Sequence, residues 1–438
     1  MSYSSLPPQP AGINPPGSQP SGERLALLYQ LSQTFNSSLD LDEVLNRVMD
    51  EVIVATRAER GFLMLYDEHD QLVFRAARGM DQHTIQDPMF QISLSVVQGV
   101  ARQGQAVLTD DAQLDPRFSM RQSVRLLGLR SILCVPLRIK ERILGTIYVD
   151  NRIQAGIFSL ADLDLLTAIA SSAAIAIENA RLYRVAVEKG RLERELQMAR
   201  QVQLSLLPAE APQAPGWEFA ARWLPARQVA GDYYDFIPCQ NGQLGLVIAD
   251  VSDKGMPAAL FMALSRSIVR ASLDSALEPA AGIARANRLI CQDSTSGMFI
   301  TLFYALLDPQ VGQVTYVNAG HNPALFFQRG KRPGQGALHR LSRTGMALGV
   351  DEQARYEQRS LALNPGDFLV LYTDGVTDAL NPDGQSFDME RLESVVLAHR
   401  EESAQQIGAA LESAIQSFTG GAPGFDDITL LIVRRSLG

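Results

Sequence analysis

The chemistry-bearing residues of this 438-residue chain are aspartates gathered in four short blocks. VAGDYYDF holds Asp232 and Asp235, and LGLVIADVSDKGMPAA holds Asp250 and Asp253. FLVLYTDGVTDA holds Asp374 and Asp378, and GFDDITLLIV holds Asp426 and Asp427. Each block lies where an apolar, strand-like run begins or ends. One aspartate in such a place ordinarily caps a helix or opens a turn. A set of them brought together is different, because carboxylates in a low-dielectric setting repel one another and need a positive partner. Oxygen-only ligands suit hard cations, Mg2+ or Mn2+, and there is no His/Cys cluster to favour zinc. Two such ions sharing a water would lower its pKa and hold it in line with a phosphoryl group, so that hydrolysis needs no covalent intermediate.

The elements that would position these acids start near Trp217, where strand-like and helical patterns begin to alternate. Length alone argues for more than one core, since a chain of 438 residues exceeds what a single core usually fills. Hydrophobic residues at 46% against 20% charged are ordinary globular proportions, so the chain has the apolar material for those cores. Residues 1–20 are the exception: Pro7, Pro8, Pro10, Pro15, Pro16 and Pro20 among Ser and Gly predict a disordered tail.

From Leu25 the pattern turns helical, with Leu28, Leu31 and Phe35 in register and Asp40 placed to cap a second helix. Two strand pairs follow, GFLMLYD with QLVFRAA and SILCVPLRI with RILGTIYVD. Ser159 and Asp162 then open a long helix through AIASSAAIAIENARLY. The sequence VPL, then LGTIYVDN, Phe158, Asp162 and AIAIENA resembles a GAF sensor domain over residues 21–183, an antiparallel sheet flanked by helices. The resemblance implies regulation by an unknown small-molecule or protein signal. Asn151-Arg152, Phe158 and Asp162 partly match the cyclic-nucleotide GAF pattern, with Leu163 in place of its Glu, and an Arg152–Asp162 pair that simply pins a loop is the competing reading. Cys134, in an apolar strand, reads as a buried structural thiol.

Over residues 184–208 the helix continues, and Leu192, Leu196, Ala199, Val202 and Leu206 recur at coiled-coil-like spacing. Two copies of the chain are expected to pair there, giving a homodimer. Pro208, Pro212 and Pro215 end the connector.

The four acidic blocks, with MFITLFYALLD, NAGHNPALF and the connector's ARQVQLSLLP, resemble the SpoIIE-like branch of the PPM metal-dependent protein phosphatases over residues 192–438, with the phosphatase domain itself at 209–438. The overall expectation is an α+β chain of two domains, a GAF sensor joined by a long helical connector to a PPM-type αββα sandwich. By motif, the resemblance implies that Asp250 bridges a pair of Mn2+ or Mg2+ ions, helped by the Val251 carbonyl. Asp374 and Asp426 complete one ion's shell and Asp232 serves the other side, with Asp427 able to exchange with Asp426. Asp235, Asp253 and Asp378 are expected to orient ligands or bound waters. Arg227, five residues ahead of Asp232, either holds substrate phosphate or is a solvated strand-edge arginine. His321 is either a general acid or, between Gly320 and Pro323, the fastener of a turn. The implied substrate is phosphoserine or phosphothreonine on a STAS-domain protein that antagonises an anti-sigma factor.

Other classes fare worse. A net charge of −9 without a Lys/Arg cluster repels nucleic acid. Three cysteines, Cys134, Cys239 and Cys291, without CxxC spacing speak against disulfides, and no apolar run reads as a membrane span, so a cytoplasmic protein is expected. AGDYYDF faintly resembles the GGDEF turn of nucleotidyl cyclases, but that reading leaves TDGVTDA, NAGHNPAL and DDIT unexplained. A phosphoprotein-binding domain without activity would not need every carboxylate in place.

Overall fold

The computed structural model describes residues 21–81, 83–85, 92–120, 122–239, 242–274, 278–293, 297–332, 335–421, 424 and 426–437. The Pro-rich segment 1–20 lies outside them. The chain divides into two compact units, residues 1–191 and 192–438.

The first unit contains α1 (Ser21–Phe35), α2 (Leu41–Thr56), β1 (Arg60–Tyr66), β2 (Leu72–Gly79), α3 (Leu94–Gln103), β3 (Val107–Thr109), α4 (Gln122–Leu126), β4 (Ser131–Ile139), β5 (Arg142–Asn151) and the first part of α5 (Leu160–Leu206). Asp40 caps α2 by accepting the Glu43 N–H, and Ser159 and Asp162 exchange bonds at the start of α5. The strands form one antiparallel sheet in the order β2-β1-β5-β4-β3. One face packs under α2 and α5 through Val48, Val52, Val135, Ile147, Ala173 and Ile177; Phe62, Val97, Cys134 and Tyr148 on the other pack with α3. Both faces are covered, which is why β4 and β5 read as near-continuous apolar runs. By length and composition α5 has a stretch apolar enough to cross a membrane. Its Leu166, Ile169, Ala170, Ala173, Ala174 and Ile177 are buried in this core, which accounts for that composition.

The expected pairing of Arg152 with Asp162 is not what forms. Arg152 donates to Glu59 from Nε at 2.8 Å and from Nη2 at 2.6 Å, while Asp162 is engaged at its own helix end by Ser159. Beside it lies a buried bidentate pair, Arg60 Nε and Nη2 to the two oxygens of Asp150 at 2.9 and 2.7 Å. Burial pushes the Asp150 carboxyl up to about 6 in spite of Arg60.

The second unit contains the end of α5, then β6 (Trp217–Leu224), β7 (Tyr233–Pro238), β8 (Leu244–Val251), α6 (Met256–Asp274), α7 (Pro279–Asp293), β9 (Ile300–Asp308), β10 (Gln313–Ala319), β11 (Ala324–Arg329), β12 (Gly336–Leu341), β13 (Arg359–Ala362), β14 (Phe368–Tyr372), α8 (Asp374–Thr377), α9 (Asp388–Ala398), α10 (Ala404–Thr419) and β15 (Ile428–Arg435). Two five-stranded antiparallel sheets run β13-β10-β9-β8-β7 and β12-β11-β14-β15-β6. Between them lies a core of Phe236, Leu246, Ile248, Phe303, Phe326, Leu369 and Leu431. The outer face of the first sheet carries α6 and α7, and that of the second carries α9 and α10. Four layers in the order helix, sheet, sheet, helix result, because each sheet offers apolar side chains to both sides.

Replacing Asp150 by Ala strands the Arg60 guanidinium in a buried position. It is expected to destabilise the first unit by about 3–5 kcal/mol, measured by denaturant unfolding of the full chain.

Candidate metal-binding active site

The acidic blocks meet at one end of the sandwich. Asp250 is the penultimate residue of β8, opposite Thr301 of β9, and Asp232 immediately precedes β7, next to it in the same sheet. Asp374 opens α8 directly after β14, and Asp426 and Asp427 immediately precede β15, so these come from the other sheet. Gly375 permits that approach: a Cβ there would fall 2.0 Å from the Asp427 carbonyl oxygen. Gly231 similarly lets the Asp232 loop lie against the Val251 carbonyl, 3.1 Å from where its Cβ would be.

The electrostatics are those of crowded acids. Asp232 is raised well above the ordinary carboxylate value, first by burial and then by the charges of Asp250 and Asp427. Asp250 is pushed up to about 7, by burial and then by Asp374. Asp374 is raised by burial and by Asp426, with Lys254 pulling the other way. Asp427 is raised by burial, although backbone N–H groups of Ala226, Gly231 and Asp232 oppose the shift. Lys254 Nζ lies 2.8 Å from Asp426 Oδ2 and is the cation in contact with the group.

Each carboxylate has its own tethers. Asp427 accepts the Ala226 N–H on Oδ1 and the Gly231 N–H on Oδ2, both at 2.8 Å, and so fastens the loop that carries Asp232. Asp232 Oδ2 accepts the Thr373 and Thr429 hydroxyls at 2.7 and 2.8 Å. Asp426 accepts the Asp427 N–H at 2.9 Å. Asp253 is exposed, in a left-handed backbone conformation (φ 81°) that Asp tolerates better than most residues, and its carboxylate accepts the Lys254 N–H. Asp378 is exposed at the C-terminal end of α8 and adds to the charge at Asp374.

Asp235 does not join the group. It is buried against α6, within 3.0 Å of Arg266 and 2.8 Å of Arg270. Three residues along the strand from Asp232, it serves to bind helix to sheet.

His321 is likewise a fastener. Its Nε2 lies 3.1 Å from the Tyr372 carbonyl, which can only accept, so Nε2 carries the proton; Nδ1 then accepts the Thr301 hydroxyl at 2.7 Å. Burial depresses its pKa to about 4, and the neutral ring links β9 of one sheet to β14 of the other. With both nitrogens engaged, it does not act as general acid in this arrangement. Arg227 is exposed, its Nη1 3.9 Å from where a Cβ on Gly255 would be, beside the Asp253 loop.

Among the described residues, no three carboxylate, imidazole or thiolate groups stand as a ready-made ligand set. What fits a divalent cation is the donor chemistry: buried and half-buried carboxylate oxygens in mutual repulsion, with the Lys254 ammonium beside them. Thr373, Thr429 and Lys254 had no role in the sequence reading, although their places beside aspartates in TDG, DDIT and SDKG were the available signal.

One consequence is measurable without metal. Because Asp250 in the folded chain keeps a proton up to about 7 rather than 3.8, the native state holds protons that the unfolded chain releases between those values. Stability from this source is complete below the lower value and is lost as pH rises through the upper one. The metal-free unfolding temperature of the C-terminal unit is expected to fall between about pH 4 and about pH 7, and Asp250→Asn should flatten that fall in a calorimetric scan.

The family model for stage II sporulation protein E (SpoIIE) matches residues 240–436, and that for the GAF domain matches residues 38–178. Protein IcfG of Synechocystis sp. is 32% identical over 269 residues, covering 55% of this chain and 42% of its own length. The phosphoserine phosphatase RsbU of Bacillus subtilis is 30% identical over 246 residues, covering 56% of this chain and 71% of its own. In fold, the second unit is similar to the SiaA-PP2C domain of Pseudomonas aeruginosa, with a TM-score of 0.51, 21% identity, and 57% and 99% of the two chains covered. Identity of 30% to RsbU over 71% of that protein, with the two family models matched in order, fixes the family: the chain belongs to the SpoIIE-type PPM (PP2C) phosphatases, with a GAF domain ahead of the phosphatase domain.

Proposed function

We propose that the chain is a signal-regulated, metal-dependent phosphatase that hydrolyses phosphoserine or phosphothreonine on a STAS-type protein partner. The observation that carries this reading is the mutual crowding of Asp232, Asp250 and Asp374, with Asp250 pushed up to about 7. Asp232, Asp250, Asp374 and Asp426, with the Val251 carbonyl, are the residues assigned to hold two Mn2+ or Mg2+ ions. Asp427, whose two oxygens take backbone N–H groups, is assigned to the loop instead. The ions supply an acidified water and neutralise charge on the phosphoryl oxygens. Lys254 screens Asp426, and the exposed Arg227 is assigned to receive substrate phosphate, its planar fork suiting phosphate geometry. A relative named as a phosphoserine phosphatase supports the choice of substrate.

Regulation is assigned to the GAF unit and α5. Leu182, Val185 and Leu192 stand on α5 at heptad spacing with 48–59% of their surface exposed, which supports pairing with a second copy. Near its end, Gln203 is buried and exchanges bonds with Ala230, its Nε2 donating to the carbonyl at 2.9 Å and its Oε1 accepting the N–H at 3.1 Å. Ala230 lies two residues before Asp232, so displacement of α5 is felt at the acidic cluster. A cytoplasmic setting without nucleic acid follows from the acidic charge and the partner proposed.

Two experiments bear on this. With Mn2+, the chain is expected to hydrolyse p-nitrophenyl phosphate and a phosphorylated STAS protein, and Asp250→Asn to lose about 10²–10³ in kcat; equal rates would remove the assignment. Leu196→Pro, which breaks α5, is expected to leave a folded phosphatase unit whose activity no longer responds to signal. An unaltered response would sink the coupling role.

A further inference from the structure

Within the acidic cluster, Asp232 is the carboxylate held by side chains of the opposite sheet. Thr373 and Thr429 are both fully buried, at the ends of the neighbouring strands β14 and β15. Thr373 Oγ1 accepts the Thr429 N–H at 2.9 Å and donates its own hydroxyl to Asp232 Oδ2 at 2.7 Å, the Asp427 carbonyl lying farther off at 3.4 Å. The Thr429 hydroxyl donates to the same oxygen at 2.8 Å. Two donors on one oxygen settle the rotation of the carboxylate about its Cβ–Cγ bond, and neither hydroxyl takes Oδ1. Asp232 belongs to one sheet and both donors to the other, so the grip also spans the sandwich.

We propose that Thr373 and Thr429 are positioning residues of the metal site, orienting Asp232 so that Oδ1 meets a divalent cation. The proposal rests on the phosphatase reading given above. A carboxylate ligand with a free torsion must be ordered when the cation arrives, and one already fixed by two hydroxyls is not. Thr429 is the cleaner probe, because its hydroxyl serves Asp232 alone whereas that of Thr373 also satisfies a backbone N–H.

The test separates hydroxyl from shape. Thr429→Val keeps the branched outline and removes the donor; Thr429→Ser keeps the donor and removes a methyl group. Mn2+ binding to the full chain is followed by loss of the free-ion EPR signal, with p-nitrophenyl phosphate turnover recorded across Mn2+ concentration. Thr429→Val is expected to weaken Mn2+ binding roughly 10–100-fold and to regain most of its turnover at saturating Mn2+, while Thr429→Ser stays within about twofold of the native chain. Native affinity in the valine variant, or equal loss in both, overturns the proposal. Should the valine variant lose its cooperative melt, Thr429→Ala is set against Thr429→Ser in the same way. A native chain that neither binds Mn2+ nor turns over substrate defeats the phosphatase reading together with this one; a native chain that does both, with Thr429→Val unchanged, defeats this one alone.

Discussion

Like charge forced into a shared low-dielectric corner is the constraint around which the second unit is organised. Carboxylates would escape it by moving apart or facing water, and the fold prevents both. Strand pairing sets Asp250 opposite Thr301, and the Gly375 turn brings the Asp426–Asp427 backbone against the start of α8. Hydrogen bonds from Thr373, Thr429, Ala226 and Gly231 offset part of the cost, and Lys254 offsets more. The remainder stays in the molecule as raised proton affinity at Asp232 and Asp250. Strain of this kind persists only where the surroundings are firm, and the His321 link between β9 and β14 supplies some of that firmness.

Much of this was legible in the sequence, and the boundary of what was legible has a physical basis. Apolar runs and their turns located strand pairs such as β1 with β2 and β4 with β5, since both pattern and partner are local. The acidic blocks were visible because aspartate at the end of an apolar strand is a local signature. What escaped were choices among distant partners. Asp235 resembled its neighbour Asp232 in every local respect, yet it meets two arginines of α6, about one strand and a helix away in the chain. Arg152 had Asp162 ten residues on and took Glu59, 93 residues back. The threonines that hold Asp232 sit 141 and 197 residues from it, so TDG and DDIT could mark them as neighbours of aspartates but not name the aspartate they meet.

The first unit shows the other use of buried charge. Arg60 and Asp150 are paired bidentately among apolar residues, and their planar fit fixes the ends of β1 and β5 relative to each other. With both faces of that sheet covered, its core residues read as apolar throughout, and the small residues of α5 let the helix lie close upon it. Here charge serves register; in the second unit it is gathered as like charge at one end of the sandwich.

The position of β15 has a bearing on how the molecule is made. This strand is the last of the described strands, yet it is central in its sheet, lying between β14 and β6, and among the described residues β6 has no other strand beside it. A polypeptide still lacking residues 426–435 therefore leaves β6 unpaired and Asp232 without its Thr429 donor. The acidic cluster assembles only once residues 426–435 have been made, late in the synthesis of the phosphatase unit.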